Sequence, residues 1–268
     1  MRSVHLRRFA AKVYYEGHAF HGSQRQRDVR TVEGELLRVL RRFGAGEWFK
    51  SAGRTDRGVS ALGNVFAFEL PRHLPPRAFN AYLPEEIRVL GVREVDRDFH
   101  PRYSALSRTY RYFAPDEGYT MSRIERACRV LEGRHSFHSF TCDRERDPER
   151  HLLEVRAERA GGVVVLTFRG ESFLREMVRR MCTAVLLAGA GEIGVEEIEE
   201  ALKPGVQRVF PPSPPEFLVL WEVEYGFEFE HEEYTLRMLE QRLRQRLRAF
   251  MAGAEMSRQA MDALGVKV

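Results

Sequence analysis

Ser51-Ala52-Gly53-Arg54-Thr55-Asp56-Arg57-Gly58-Val59 is the most unusual stretch of this 268-residue chain. Residues 48–51 before it and 65–68 after it have the pattern of strands, so the stretch is predicted to be a loop. Its two glycines allow a sharp turn or a close approach to a ligand. Between them one carboxylate, Asp56, stands beside two guanidinium groups, which favour its ionised form. This suits a nucleophile or an electrostatic stabiliser; the alternative is an aspartate that caps a turn beside two surface arginines.

The composition is typical of a globular protein, with 43% hydrophobic and 31% charged residues. No run of about 18 apolar residues is present, which argues against a membrane span. The N-terminal residues lack the apolar core of a secretory signal. Three cysteines without a CxxC pair argue against a disulfide scaffold and a zinc ribbon. We therefore expect a cytoplasmic protein.

The positive charge is concentrated near the N-terminus. Residues 1–58 carry 13 bases and 6 acids, whereas residues 59–268 carry 30 bases and 33 acids. Only four of the 43 basic residues are lysines, and arginine forms planar, bidentate contacts with phosphate. This distribution indicates a polyanionic partner. The alternative is a general preference for arginine over lysine along the whole chain.

Strand and helix patterns alternate without a dinucleotide-binding or P-loop glycine motif. Two α/β subdomains that share a mostly antiparallel, mixed sheet flanked by helices fit better than a doubly wound parallel fold. The sequence thus predicts an α+β fold. We expect an N-terminal subdomain at 1–105, a C-terminal subdomain at 106–225 and a charged helical extension at 226–268. The arginines of that extension form either a nucleic-acid patch or, as the more common case, a solvated helix face.

Two further segments carry candidate functional residues. If residues 108–112 form a strand, Arg108, Tyr110 and Tyr112 share one face, which suits base stacking beside phosphate contacts; the alternative is an ordinary half-buried strand. A long helix is predicted to begin near Phe173. It would place Arg175 and Arg179 four residues apart, where one of them can reach a carboxylate in a cleft or both can remain solvated.

The candidate metal ligands in this sequence are His135, His138 and Cys142, followed by Asp143. A His-x-x-His pair on a loop followed by a cysteine could ligate zinc. Because no matching set of ligands occurs elsewhere in the chain, we predict no metal site.

Several of these segments, in this order, resemble the pseudouridine synthase I (TruA) family of tRNA pseudouridine synthases. Residues 52–59 look like its AGRTDxGV signature, and the resemblance covers about 5–225. The other matching segments are Gly22-Ser23-Gln24-Arg25-Gln26 with Thr31-Val32-Glu33, Asn80-Ala81 with Leu83-Pro84, Phe99-His100-Pro101-Arg102 with Ser104-Ala105, Arg108 with Tyr110-Arg111-Tyr112, Phe173 with Met177-Val178-Arg179, and 218–225. The chain departs from the family pattern at Arg180, where an asparagine is usual, and at Glu216-Phe217. Its C-terminal extension is similar to that of archaeal or eukaryotic members.

The resemblance implies the pseudouridine synthase fold and the isomerisation of uridine to pseudouridine. The glycosidic bond from C1′ to N1 breaks, the uracil turns, and C1′ rejoins at C5, so no cofactor is expected. The resemblance identifies Asp56 as the essential carboxylate and Arg179 as its ion-pair partner. It identifies Tyr110 as an active-site tyrosine that can stack on the uracil and, with its pKa lowered, help to remove the C5 proton. It also implies that Arg54 holds the flipped nucleotide. Further contacts with RNA are expected from Gln24, Arg25, Gln26, Arg57, Arg108 and Arg175.

By the same resemblance, the expected substrate is tRNA, with uridines 38, 39 and 40 of the anticodon stem-loop as targets, and the expected assembly is a homodimer. Two alternatives stay open from the sequence. One is a catalytically silent RNA-binding or chaperone module on the same scaffold, and the other is a related synthase with broader RNA targets. A silent module need not retain Asp56, Tyr110 and Arg179 together.

Overall fold

The computed structural model describes residues 5–143, 145–206 and 208–266. The strands are β1 (Arg7–Tyr15), β2 (Phe49–Ser51), β3 (Ser60–Leu70), β4 (Ile87–Glu94), β5 (Ser107–Pro115), β6 (Gly133–Ser136), β7 (Glu149–Ala160), β8 (Val163–Gly170) and β9 (Leu218–Glu224). The α-helices are α1 (Val32–Arg42), α2 (Pro76–Asn80), α3 (Met121–Leu131), α4 (Met177–Ala190), α5 (Val195–Ala201) and α6 (Glu233–Ala263). Single 3-10 turns occupy Gly17–Ala19, His138–Phe140 and Pro215–Phe217.

All nine strands form one sheet in the order β4-β1-β3-β9-β5-β8-β7-β6, with β2 paired to β3. Every strand pair is antiparallel except β3 with β9, where Ser60 lies opposite Val219. The predicted α+β fold with a mostly antiparallel, mixed sheet is confirmed. The division at residue 105 falls between β4 and β5 and stays a prediction.

The parallel pair β3–β9 is the seam that positions the site. The loop that carries Asp56 leads directly into β3, and β9 on the other side of the seam pairs with β5, where Tyr110 lies opposite Leu220. Two segments that are remote in sequence therefore meet at the same place in the sheet. A continuous apolar core, which includes Phe66, Tyr112 and Phe168, holds the two sides together.

Helices α1 and α4 begin in different ways. Thr31 accepts a hydrogen bond from the Gly34 amide and caps α1, as its sequence position predicts. The prediction that α4 begins near Phe173 is wrong, because Glu176 adopts a left-handed conformation with φ of +62° and the helix starts at Met177. Arg175 therefore lies before the helix and not one turn below Arg179.

The helical extension also begins later than predicted. The residues between β9 and α6 form an irregular segment, in which Phe227 and Phe229 pack against Tyr225. Helix α6 then covers the face of β1 and β4 opposite the main core, through a cluster of Tyr14, Leu90 and Leu239. Its outer part is exposed.

A buried carboxylate attaches α6 to the sheet. Glu16 is 1% exposed, and its oxygens accept hydrogen bonds from Arg242, while Arg246 lies 3.2 Å away. Burial by itself would raise the pKa of Glu16, but the hydrogen bond from Arg242 and the charges of Arg246 and Arg242 outweigh it and lower that pKa. Three exposed arginines of α6, Arg237, Arg244 and Arg258, pair with carboxylates of their own helix, as the interpretation of a solvated face expects, whereas Arg242 and Arg246 bind Glu16.

We expect Glu16→Gln to lower the free energy of unfolding at pH 7 by about 3 kcal/mol, because it removes the buried counter-charge of Arg242 and Arg246 and leaves Arg242 only its pair with the exposed Glu85. A carboxylate whose pKa is lowered by folding stabilises the folded state at pH values above its unfolded pKa of about 4.3. This stabilisation is lost as the pH falls through the pKa of the folded state. Urea unfolding at pH 7 and at pH 3 should therefore show a difference between variant and parent that shrinks at pH 3.

The matched control for this prediction is Glu240→Gln, which removes an exposed ion pair with Arg244 on the same helix. Its effect should be below about 0.5 kcal/mol. A Glu16→Gln effect of similar size at both pH values would contradict the assignment.

Candidate active site

A buried hydrogen-bond network holds the loop that carries Asp56. The Ser23 hydroxyl accepts from the Thr55 amide at 2.8 Å, and the Ser23 amide donates to the Thr55 carbonyl at 3.0 Å. The Thr55 hydroxyl is 2.8 Å from the Tyr15 hydroxyl, and Asn64 donates both to Tyr15 and to the Gly53 carbonyl at 3.0 Å. The residue immediately before Asp56 is therefore fixed on its backbone and on its side chain.

Two glycines allow the loop to pack this closely. Gly58 has a φ of +88°, a conformation that favours glycine. A Cβ atom on Gly17 would lie 2.2 Å from the Gly58 carbonyl oxygen, so the 3-10 turn after β1 and the loop touch backbone to backbone. Substitution at either position would displace the loop two residues from Asp56.

Asp56 and Arg179 come together across the seam, although 123 residues separate them in the chain. A guanidinium Nη1 of Arg179 lies 3.2 Å from the Asp56 carboxylate, and its Nε donates to the Ser213 carbonyl at 2.7 Å. The Arg179 side chain is 14% exposed, whereas that of Asp56 is 37% exposed. Arg179 is thus held in place by the Ser213 carbonyl, and the Asp56 carboxylate remains accessible to solvent.

Arg180, a departure from the family pattern, supports this arrangement. Its guanidinium donates to the Glu176 carboxylate at 2.6 Å and to the Phe210 carbonyl. The pair ties the first turn of α4 to the segment that leads to Ser213. Arg180 thus helps to position the neighbouring Arg179, which itself points to Asp56.

Tyr110 borders the same loop from β5. A Cβ atom on Gly53 would lie 3.7 Å from the Tyr110 hydroxyl oxygen, and the ring packs edge-on against Phe173 at 5.0 Å. Burial raises the pKa of Tyr110 to about 12, which the charge of Arg108 opposes. Within the described residues the hydroxyl makes no hydrogen bond. The phenol is therefore uncharged at neutral pH and free to bond to a substrate, whereas a base in this position would need a lowered pKa.

The remaining predicted RNA contacts divide into two groups. Arg108 is buried, and its guanidinium donates to the Glu171 carbonyl at 2.6 Å, the Ala52 carbonyl at 3.5 Å and the Arg102 carbonyl. Its role in the structure is to join three loops, so its contact with RNA stays a prediction. The side chains of the other group are exposed: Gln24, Arg25, Gln26, Arg54, Arg57 and Arg175.

The segment considered for zinc has another structure. Part of it forms the edge strand β6, and His135 hydrogen-bonds the Glu132 carbonyl at 2.8 Å. Across residues 5–143, 145–206 and 208–266, no group of three His, Cys, Asp or Glu side chains could hold a metal ion. The same residues include no helix with the length and apolarity needed to cross a membrane.

Sequence reasoning did not single out the residues that position the loop around Asp56. Ser23 and Thr55 lie within recognised motifs, but their mutual hydrogen bonds are visible only in the fold. Asn64 carried a signal, because it is a polar residue in an apolar strand and is fully buried. Ser213 contacts Arg179 through its backbone, with its carbonyl accepting from the guanidinium and its amide donating to the Arg179 carbonyl, so no pattern of side chains could indicate it.

Comparisons with known proteins agree with the motifs. A family model described as tRNA pseudouridine synthase matches residues 127–226. A tRNA pseudouridine synthase A from Thermococcus sibiricus is 42% identical and covers 91% of this chain and 95% of its own length. One from Thermococcus kodakarensis is also 42% identical and covers 86% and 90%. A crystal structure of a Cbf5-Nop10-Gar1 complex matches 66% of this chain and 44% of that chain at 13% identity, with a TM-score of 0.36, too slight a likeness to carry an argument.

Proposed function

The chain belongs to the tRNA pseudouridine synthase A family and is an isomerase that converts uridine to pseudouridine in tRNA, and from that premise we propose that it acts on uridines 38, 39 and 40 of the anticodon stem-loop. The observation that carries the catalytic proposal is the accessible Asp56 carboxylate, held by Arg179 near the Tyr110 hydroxyl, which makes no hydrogen bond to the residues that the structure describes. The choice of target positions is supported by the motifs shared with the pseudouridine synthase I family.

Asp56 is proposed as the catalytic carboxylate. It can add to C1′ as the bond to N1 breaks, or it can take a ribose proton, and both routes need the ionised form beside the ribose. Arg179 supplies a fixed positive charge that keeps the carboxylate oriented. The hydrogen bond to the Ser213 carbonyl holds the Arg179 side chain in place.

Tyr110 is proposed to contact the uracil. Because burial keeps the phenol protonated, it can stack its ring on the base and donate a hydrogen bond to a uracil oxygen. The base rejoins C1′ through C5, and the proton leaving C5 must be taken by a group other than a Tyr110 phenolate at neutral pH. A second role as base, which the resemblance suggests, would need substrate binding to lower the pKa of Tyr110.

Binding of tRNA is proposed along the exposed cations beside the loop. Arg54 and Arg57 flank Asp56, and Arg175 lies just before α4. Gln24, Arg25 and Gln26 add polar groups from the loop after the first 3-10 turn. Arg54 is proposed to hold the flipped nucleotide, since the base must leave its stack to reach the carboxylate. We also propose a homodimer and a cytoplasmic location, both supported by the resemblance.

We expect tritium to be released from C5-labelled uridine in unmodified tRNA transcripts that retain a single anticodon-stem-loop uridine, at 38, 39 or 40. The release should be absent when all three positions carry cytidine, because the remaining uridines are not proposed targets. Primer extension after carbodiimide treatment would locate each pseudouridine. Release from the triple-cytidine transcript at the same rate would contradict the target positions while leaving the isomerase activity intact.

A further inference from the structure

An exposed tyrosine lies near the active site and has no role in the proposal above. Tyr103 is 77% exposed. Yet its backbone is well ordered by a compact turn: the amides of Tyr103 and Ser104 donate to the His100 carbonyl at 3.0 and 2.8 Å, and the Ser104 hydroxyl accepts from the His100 amide at 3.1 Å. The chain thus holds a large aromatic ring in solvent and forgoes the free energy that burial of its apolar surface would provide.

The ring extends a row of aromatic side chains. The centroid of Tyr103 is 4.5 Å from that of His100, which meets Trp48 edge-on at 6.3 Å. The far face of Trp48 is covered by the Arg8 guanidinium at 3.6 Å. His100 accepts the Arg102 amide at Nδ1, and burial together with the charges of Lys50, Arg102 and Arg8 lowers its pKa. The row is therefore uncharged at neutral pH, with Tyr103 as its open end.

One cation borders this open end and another lies near His100. Lys50 and Arg102 are both exposed, and within the described residues neither has a carboxylate within 4 Å. The Arg102 guanidinium lies 5.9 Å from the Tyr103 ring centroid. An aromatic face beside unpaired cations is the arrangement that binds a base by stacking and its phosphate by charge.

The row is coupled to the catalytic loop. The buried guanidinium of Arg108 donates both to the Arg102 carbonyl, next to Tyr103, and to the Ala52 carbonyl, four residues before Asp56. Lys50 is six residues from Asp56, so an extended chain would separate them by at most about 20 Å. A nucleotide on Tyr103 would thus lie on the same tRNA as the target, a few nucleotides away.

We propose that Tyr103 is a stacking platform for an unpaired tRNA base other than the target uridine, with Lys50 and Arg102 contacting the phosphates on either side of that base. This inference rests on the proposed function, because it needs tRNA at the Asp56 cleft. The platform holds the RNA while the target nucleotide turns out of its stack.

Replacing Tyr103 tests the platform. We expect Tyr103→Ala to weaken binding of an unmodified tRNA transcript about 10-fold, the size of one lost base–aromatic stack. Tyr103→Phe keeps the ring and should stay within about twofold of the parent protein. The matched control is Tyr234→Ala, which removes another exposed tyrosine from α6 and should leave binding unchanged. Equal binding by Tyr103→Ala and the parent would overturn the proposal.

Direct contact can be measured with a tRNA transcript that contains 5-iodouridine in the anticodon loop. Long-wavelength irradiation should attach the RNA to the peptide that carries Tyr103, and Tyr103→Ala should abolish this adduct. An adduct elsewhere only would overturn the platform. If the parent protein neither binds tRNA nor releases tritium, the proposed function itself fails; if it does both and only the Tyr103 effects are absent, the platform alone is wrong.

The sedimentation of each variant separates stacking from assembly. Tyr103→Ala should sediment as the parent protein does. A variant that binds tRNA weakly because it has lost its partner copy would show that the ring serves contact between subunits, and the platform would be overturned.

Discussion

Asp56→Asn is expected to abolish tritium release from C5-labelled tRNA, with a fall of at least about 10³-fold in the single-turnover rate. The amide has nearly the same shape as the carboxylate, but it can neither add to C1′ nor accept a ribose proton. Since the Asp56 side chain is 37% exposed, the substitution should change the free energy of unfolding by less than about 1 kcal/mol. Binding of tRNA should remain within a few-fold, because the surrounding arginines are retained.

Asp28→Asn provides the control for this experiment. Asp28 lies in an exposed loop of the same basic N-terminal segment and has a φ of +60°, a conformation that asparagine tolerates. Asp28→Asn removes one negative charge from the same region as Asp56→Asn does, and the activity of the variant should match that of the parent protein. If Asp56→Asn kept more than about a tenth of the parent rate, Asp56 would not be the catalytic carboxylate.

Arg179→Ala is expected to lower the single-turnover rate by about 10²- to 10³-fold, the usual effect of removing a preorganised charge from an active site. The guanidinium is 14% exposed and joins Asp56 to the Ser213 carbonyl, so its loss frees the carboxylate to rotate. Arg179→Lys keeps the charge but lacks the planar fork that serves both acceptors. We expect its rate to lie between those of the parent protein and the alanine variant.

Rates for these variants should be measured at saturating tRNA, beside the binding constant for the same transcript. Arg129→Ala, which removes an exposed arginine from α3, is the control for a general loss of positive charge. A fall in binding affinity with an unchanged saturated rate would assign Arg179 to tRNA binding and not to the orientation of Asp56.

Much of the fold was accessible to local reasoning. The loop around Asp56 and the strands on either side of it follow from alternation and glycine placement within a few neighbouring residues. The start of α4 was not accessible, because the apolar spacing of Phe173 with Met177 is helical. A left-handed Glu176, paired with Arg180, interrupts the helix instead.

Local sequence patterns also predict the candidate site only in part. Its residue types follow from the motifs, but the state of each depends on what the fold places beside it. Burial raises the pKa of Tyr110, whereas a base would need a lowered pKa. The Arg108 guanidinium donates its hydrogen bonds to backbone carbonyls. Neither outcome can be read from a strand in which arginine and tyrosine alternate.

The sequence by itself determined the family, the reaction and the identity of the candidate carboxylate, because these depend on short motifs of defined order. Only the tertiary structure decided that Arg179 reaches Asp56 over 123 residues, that α6 attaches through Glu16 and that Tyr103 stays exposed. The physical reason is that solvation and pairing depend on contacts made across the chain. The contact between Asp56 and Arg179, for example, joins the two sides of the β3–β9 seam.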